Sequence, residues 1–169
     1  LITGGGSGIG RFTAIKFASE NITTVIVGRR KEALKETLML AGEYKTNIKP
    51  IVCDISKNNE IVQLRKEIQK KFGDLTILVN NAGSSSSVRS ITHIPIDQWD
   101  NVLNVNLKSV YRLCQEFLPA MIKNKKGTII TISSMAALRP GLLGGAAYSA
   151  AKAGVTNLMG DINVELSNE

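Results

Sequence analysis

The chain is poor in the residues that build metal centres, disulfide frameworks and base-stacking surfaces. Two cysteines, Cys53 and Cys114, lie far apart and in no C-x-x-C spacing, and the single histidine, His93, has no metal-ligand partner nearby in sequence. A disulfide scaffold and a zinc site are therefore excluded as readings, and the expectation is reduced, buried thiols in a cytoplasmic protein with no metal. Aromatics make up only 5% of the 169 residues. The net charge of +7 is spread along helical stretches (Lys66, Lys70, Lys71, then Lys123, Lys125, Lys126) with no aromatic platform beside it. That pattern reads as a solvated surface rather than a nucleic-acid groove. No run approaches the roughly 18 apolar residues of a membrane span, and no basic–apolar–small leader precedes the first motif.

What the chain does have is a regular alternation. Short β-branched runs at Thr23–Val27, Ile48–Cys53, Leu75–Asn80 and Thr128–Ser133 are separated by stretches of helical period. Residues 31–45 carry Leu34, Leu38 and Ala41 on one face, and residues 57–72 carry Ile61, Leu64, Ile68 and Phe72. Residues 97–123 carry Trp99, Leu103, Val110, Leu113, Phe117 and Met121. Apolar strands separated by helices pair in parallel and are covered on both faces, so the expected fold is a doubly wound, three-layer α/β sheet of Rossmann type. A single nucleotide-binding domain over 1–169 is expected. Leu1-Ile2-Thr3 is only the tail of a strand, where about five residues are usual. The chain closes at Glu169 directly after a helical stretch. Both ends read as those of a truncated domain whose later strands and substrate-covering segment are absent.

Chemistry concentrates where strands end. The first strand runs into Thr3-Gly4-Gly5-Gly6-Ser7-Gly8-Ile9-Gly10 and then helix-compatible residues. Glycines at such a turn let the backbone approach a pyrophosphate and aim the free N–H groups of a helix start at it. Arg11 and Phe12 stand where a P-loop needs Lys and then Ser or Thr, so that motif is excluded. The string matches T-G-x-x-x-G-x-G and not G-x-G-x-x-G. In dinucleotide folds an acid ending the second strand holds the ribose 2′-hydroxyl of NAD. Here that slot is Gly28, followed by Arg29 and Arg30. Guanidinium groups suit a 2′-phosphate, so NADP(H) is expected over NAD(H). Asp54, with Ile55 beside it, ends the third strand and is placed either to meet an adenine amino group or to cap the next helix. Asn80-Asn81-Ala82-Gly83 ends the fourth. Asn106 falls on the apolar stripe of the long helix, as a satisfied structural amide or a functional one. Ser133 and Ser134 close the fifth strand. Tyr148 and Lys152, four apart on a helix, point the same way, amid Ala146, Ala147, Ala150, Ala151, Ala153 and Gly154.

Together these motifs make the chain resemble a classical short-chain dehydrogenase/reductase from Leu1 to Glu169. The glycine turn, Asn80-Asn81-Ala82-Gly83, Asn106, Ser134 and Tyr148 with Lys152 occur in that family's order. The resemblance implies a cofactor site at Thr3, Gly4, Ser7, Gly8, Ile9, Gly10, Arg29, Arg30, Asp54, Ile55, Asn81, Ala82, Gly83, Tyr148 and Lys152. It implies that Tyr148 exchanges a proton with a carbonyl or alcohol oxygen, that Ser134 hydrogen-bonds that oxygen, and that Lys152 holds the nicotinamide ribose and lowers the phenol's pKa. Asn106 would hold a water linking Lys152 to solvent. A free phenol titrates near about 10, so acid–base action near neutrality asks for about 4 kcal/mol, which one ammonium about 4 Å away supplies at an effective dielectric near 20. One departure stands out: the family's serine usually lies one residue nearer the tyrosine, at the position of Met135, so an extra residue in the loop Met135–Ala147 is expected. The implied activity is NADP(H)-dependent reduction of a carbonyl or oxidation of a secondary alcohol, with a 3-oxoacyl-thioester as the first substrate reading. A sugar, a steroid or another secondary alcohol stands beside it, and an enoyl-thioester reductase fits the serine–tyrosine–lysine set less well. A homodimer or homotetramer is implied. The alternative from a different class is a nucleotide-binding regulatory or scaffold protein without turnover. The isolated chain is expected to be inert or poorly soluble.

Overall fold

The structure, a computed structural model, describes residues 1–139 and 144–167. Five parallel strands form one sheet in the order β3-β2-β1-β4-β5. They are β1 (Ile2–Thr3), β2 (Thr24–Gly28), β3 (Ile48–Val52), β4 (Ile77–Asn80) and β5 (Thr128–Thr131). Helices α1 (Gly8–Ser19), α2 (Lys31–Leu40), α3 (Asn58–Phe72), α4 (Ile96–Leu103), α5 (Ser109–Lys123) and α6 (Ala146–Leu166) connect and flank them.

The strand pleat explains the three layers. On β2, Val25 and Val27 enter a core shared with Ile61 and Leu64 of α3, Leu113 and Phe117 of α5, and Val155 of α6. Ile26, between them, enters the opposite core with Ala14 and Ala18 of α1 and Leu34 of α2. Successive residues of a strand face opposite sides, so a run of β-branched residues buried on both faces is what a central parallel strand requires. The alanines of α1 leave no bulk between helix and sheet and let it lie close.

Two helical expectations change. The stretch 31–45 is not one helix: α2 stops at Leu40, Gly42 takes a left-handed conformation with φ +57°, and a 3₁₀ turn follows over Gly42–Asn47. A glycine free to adopt that conformation ends a helix in spite of apolar periodicity. The stretch 97–123 is helical throughout but is interrupted by a π-helical turn, Asn104–Lys108, which contains Asn106. The widened turn brings Asn106, 1% exposed, onto the buried face beside Val102 and Val110.

The strand order places the site. The chain builds β1, β2 and β3 outward in one direction, then returns to lay β4 on the other side of β1, in register Ile2↔Val79. Connections that leave two neighbouring strands in opposite directions open a crevice at their carboxyl ends. The residues that follow β1 and β4 are the glycine turn and Asn81-Ala82-Gly83. Ser133 and Ser134 lie just beyond the last pair of the β4–β5 ladder, Asn80↔Thr131.

Candidate functional site

The crevice is closed at its base by side chain–backbone bonds between these two segments. Thr3 Oγ1 accepts from the backbone N–H groups of Asn81 and Ala82, both at 3.0 Å. Asn81 Nδ2 donates to Thr3 O at 2.9 Å. From this knot a groove of about 300 Å³ runs over Gly4, Gly6 and Ser7, along Val27–Arg30, to Cys53–Ile55 and back over Asn81–Ser84. A second cleft holds Tyr148, Lys152, Ile9, Ile132, Ser133 and Gly144, and shares Asn81, Gly83 and Ser84 with the groove. The structure thus brings the glycine turn, the arginine pair, Asp54 and Ile55, and the Tyr148–Lys152 pair around one continuous floor.

The glycine turn has the backbone of an anion cradle. Gly4 and Gly8 take left-handed conformations, φ +68° and +51°, which only glycine adopts without strain. Ser7 is the N-cap of α1, yet its side chain makes no capping bond. The first-turn N–H groups of α1 are left for another acceptor, and the helix dipole favours an anion there. Ile9 is 61% exposed at the mouth of the second cleft, and Gly10 is buried.

Asp54 is not the cap of α3, whose N-cap is Lys57. Its Oδ1 accepts from Ser56 N at 3.0 Å and Ser56 Oγ at 2.7 Å, which orients the carboxyl at the far end of the groove. Burial pushes its pKa up, but the two Ser56 bonds, with the positive charges of Arg29 and Lys57, outweigh that and leave it below the ordinary value. Cys53, in the groove wall, has its thiol pushed up to about 12, first by burial and then by Glu60 and Asp54. It is a wall residue and not a nucleophile.

Tyr148 and Lys152 share a face of α6, with Lys152 Nζ 5.7 Å from the phenol ring centroid. The lysine is 5% exposed, and its ammonium donates to Ile132 O at 2.6 Å. Burial lowers its pKa from the ordinary lysine value. A backbone carbonyl holds this cation in place without neutralising it. The two serines separate in role. Ser133 lines the cleft and its hydroxyl meets Thr156 Oγ1 at 2.6 Å, whereas Ser134 Oγ accepts from Ala136 N at 3.1 Å and starts a 3₁₀ turn over Met135–Ala137. The expected extra residue lies in a loop whose residues 140–143 fall outside the described ones.

Asn106 is a satisfied amide. Nδ2 donates to Ser84 O at 2.7 Å and Val102 O at 2.8 Å, and Oδ1 accepts from Ser84 N at 3.3 Å. It ties the floor of the groove to the π-helical turn. Asn106→Leu removes all three bonds and strands buried backbone groups, so a loss of about 3 kcal/mol of stability is expected, measured by urea unfolding. A loss below about 0.5 kcal/mol is what an exposed, unneeded amide would show.

Four contributors escaped the sequence reading: Ser84, Thr156, Thr37 and Arg11. Thr37 carried a signal, being a polar residue on the apolar face of α2, in the same way as Asn106 on the long helix. Ser84 and Thr156 carried none, since their partners come from distant segments. Among the described residues, no group of three or more His, Cys, Asp or Glu side chains is placed to hold a metal ion. Among them, too, no helix is long and apolar enough to cross a membrane.

Comparison with known proteins fits this arrangement. The family model for short chain dehydrogenase matches residues 1–169. A 3-oxoacyl-[acyl-carrier-protein] reductase of Thermotoga maritima is 34% identical over 158 residues, 94% of this chain and 63% of its own. A 3beta-hydroxysteroid dehydrogenase of Mediterraneibacter gnavus is 34% identical over 169 residues, 100% of this chain and 60% of its own. The chain therefore spans about three fifths of the length of these relatives. A metagenomic short-chain oxidoreductase solved in complex with NADP superposes with a TM-score of 0.93 at 34% identity, over 99% of this chain and 75% of that one. A doubly wound sheet with a glycine turn at its switch point, a tyrosine–lysine pair across the same floor, and a family match over the whole chain lead to one conclusion: the chain belongs to the short chain dehydrogenase family.

Proposed function

We propose that the protein is an NADP(H)-dependent oxidoreductase acting on a carbonyl or secondary alcohol, with Tyr148 as the proton-transfer residue. The observation that carries this is the continuous floor, Asn81, Gly83 and Ser84, which joins an anion cradle to the Tyr148–Lys152 pair. The groove fits a dinucleotide on its own chemistry: uncapped N–H groups at α1, glycines at the close approach, and Asp54 turned into the far end. Bound there, the cofactor supplies or accepts a hydride. Tyr148 gives its proton to the substrate oxygen in reduction and takes it back in oxidation. Lys152 stabilises negative charge as it develops on the phenol oxygen and offers donors to ribose hydroxyls. Ser134 is the donor proposed for the substrate oxygen: its oxygen accepts from Ala136 N, and among the described residues its hydroxyl proton has no acceptor. A Cβ on Gly83 would lie 2.8 Å from Asn106 Oδ1 and 3.9 Å from Lys152 Nζ. The first distance is a clash, so Gly83 lets the floor pack tightly against Asn106; the water proposed between Asn106 and Lys152 rests on the family's pattern.

Phosphate preference rests on Arg29 and Arg30, both exposed and both in the groove wall. Gly28, in the slot of the ribose acid, would place a Cβ 3.5 Å from Leu34 Cδ2, an ordinary contact. A Cβ is therefore not excluded there by packing. The double variant Arg29→Ala/Arg30→Ala is expected to weaken NADPH binding about 10- to 100-fold and NADH binding by less than about twofold. Equal losses for both cofactors, measured by fluorescence titration, would remove the 2′-phosphate assignment.

A 3-oxoacyl-thioester is the first substrate to try, with ketosteroids and simple ketones beside it. The test is consumption of NADPH by the whole protein against that panel. Binding of NADPH without consumption against any member would favour a regulatory nucleotide-binding role instead. Tyr111 and Ile122 of α5 are exposed apolar residues, which supports packing as a homodimer or homotetramer.

A further inference from the structure

Arg11 is a cation on the first turn of α1 that does not face solvent. Its side chain is 14% exposed and makes three bonds, to Gly6 O at 2.5 Å, Glu36 Oε2 at 2.6 Å and Thr37 Oγ1 at 3.3 Å. Thr37, 0% exposed, donates in turn to Gly5 O at 2.8 Å, the shorter of two acceptor contacts, the other being Ala33 O at 3.2 Å. The carbonyls of Gly5 and Gly6 are thus both held from one side, by side chains of α1 and α2. None of Arg11, Glu36 and Thr37 is in the groove lining; they stand behind it.

In a trans peptide the C=O and the N–H point in opposite directions. Gly5 C=O shares its peptide with Gly6 N–H, and Gly6 C=O shares its peptide with Ser7 N–H. Holding the two carbonyls against α2 turns these two donors the other way, and both belong to residues of the groove wall. The same bonds tie the turn to the helix whose N-cap is Arg30, so the turn and the arginine pair are held at a set separation. A glycine-rich segment has many backbone states, and without such a brace its donors would have to be ordered at the cost of binding energy.

We infer that Arg11 and Thr37 are positioning residues for the cofactor's pyrophosphate, acting through the direction of the Gly6 and Ser7 N–H groups without touching the ligand. This rests on the proposed NADP(H) site. Thr37 is the sharper lever because its hydroxyl carries both links, as acceptor from Arg11 and donor to Gly5.

The test uses three probes on the whole protein by calorimetric titration. NADPH and ADP carry the pyrophosphate; adenosine 2′-monophosphate carries only the phosphate that Arg29 and Arg30 are proposed to hold. Thr37→Val and Arg11→Met are each expected to weaken NADPH and ADP about tenfold or more, and adenosine 2′-monophosphate less than about twofold. Thr37→Ser keeps the hydroxyl and is expected to bind all three as the parent protein does. Equal weakening of all three probes would mean general damage and overturn the inference. So would unchanged ADP binding in both variants, or a Thr37→Ser variant as weak as Thr37→Val. A parent protein that binds neither NADPH nor ADP overturns the cofactor reading itself, a result distinct from each of these.

Discussion

Tyr148→Phe is expected to lower kcat by about 10³-fold or more while leaving the Kd for NADPH within about twofold. The variant removes one oxygen and nothing else that packs, because the ring keeps its place against Ala147, Ala151 and Val102. No other acid on the described part of the cleft can take over: the remaining polar lining is Asn81, serines and Lys152, whose ammonium is committed to Ile132 O. A general acid contributes about 10²- to 10⁴-fold to such a transfer, and losing it leaves water as the donor. Because the proton moves only in the transition state, kcat and kcat/KM fall together and ground-state cofactor binding does not. Single-turnover oxidation of bound NADPH separates the two. A variant that keeps a tenth of its turnover would place the proton donor elsewhere.

Gly10→Ala is expected to destabilise the protein by about 3 kcal/mol and to abolish measurable NADPH binding. A Cβ there would sit 2.5 Å from Gly4 O and 2.5 Å from Asn81 Nδ2. Neither atom is the free end of a flexible chain: one is backbone, and the other donates to Thr3 O at 2.9 Å. Relief requires α1 to swing off the turn or Asn81 to leave Thr3, and either opens the base of the crevice. Gly8→Ala is the informative partner. Gly8 has φ +51° and open space around its Cβ position, so its cost is conformational alone, about 1 kcal/mol. A thermal melt and a cofactor titration on both variants check the contrast. Equal, small effects would show that helix and turn are not in the close contact described.

The order of elements and the core were legible because their signals are local. β-Branched runs buried on both faces mark parallel strands wherever they occur. Val25, Ile26 and Val27 announce two cores before any partner is known. The glycine turn and the Tyr148–Lys152 spacing are legible for the same reason, each lying within a few residues. Illegible features depend on tertiary partners. The end of α2 at Leu40 follows from Gly42, whose backbone state outweighs the periodicity of Leu34, Leu38 and Ala41. The π-helical turn around Asn106 leaves no mark except a polar residue in an apolar stripe. Ser133 and Ser134 are adjacent and alike in sequence, and only the strand end and the turn that follows give them different neighbours. In sequence Arg11 tells only against a P-loop, since two of its three partners, Glu36 and Thr37, come from α2.

The knot at Thr3 has a bearing on how the chain acquires its site. Its hydroxyl joins residues 78 and 79 positions away in the chain. Contacts of that span carry a loop-closure cost that local helices and turns do not, and they form late in a domain with many local contacts. The anion cradle and the start of α1 are local and can assemble early, but the crevice exists only once β4 has docked beside β1. A ligand that binds only the assembled crevice would therefore report the return of the chain to its centre during refolding, and would stabilise the β1–β4 pairing, Ile2↔Val79, which joins residues farther apart in the chain than any other strand pairing among the described residues.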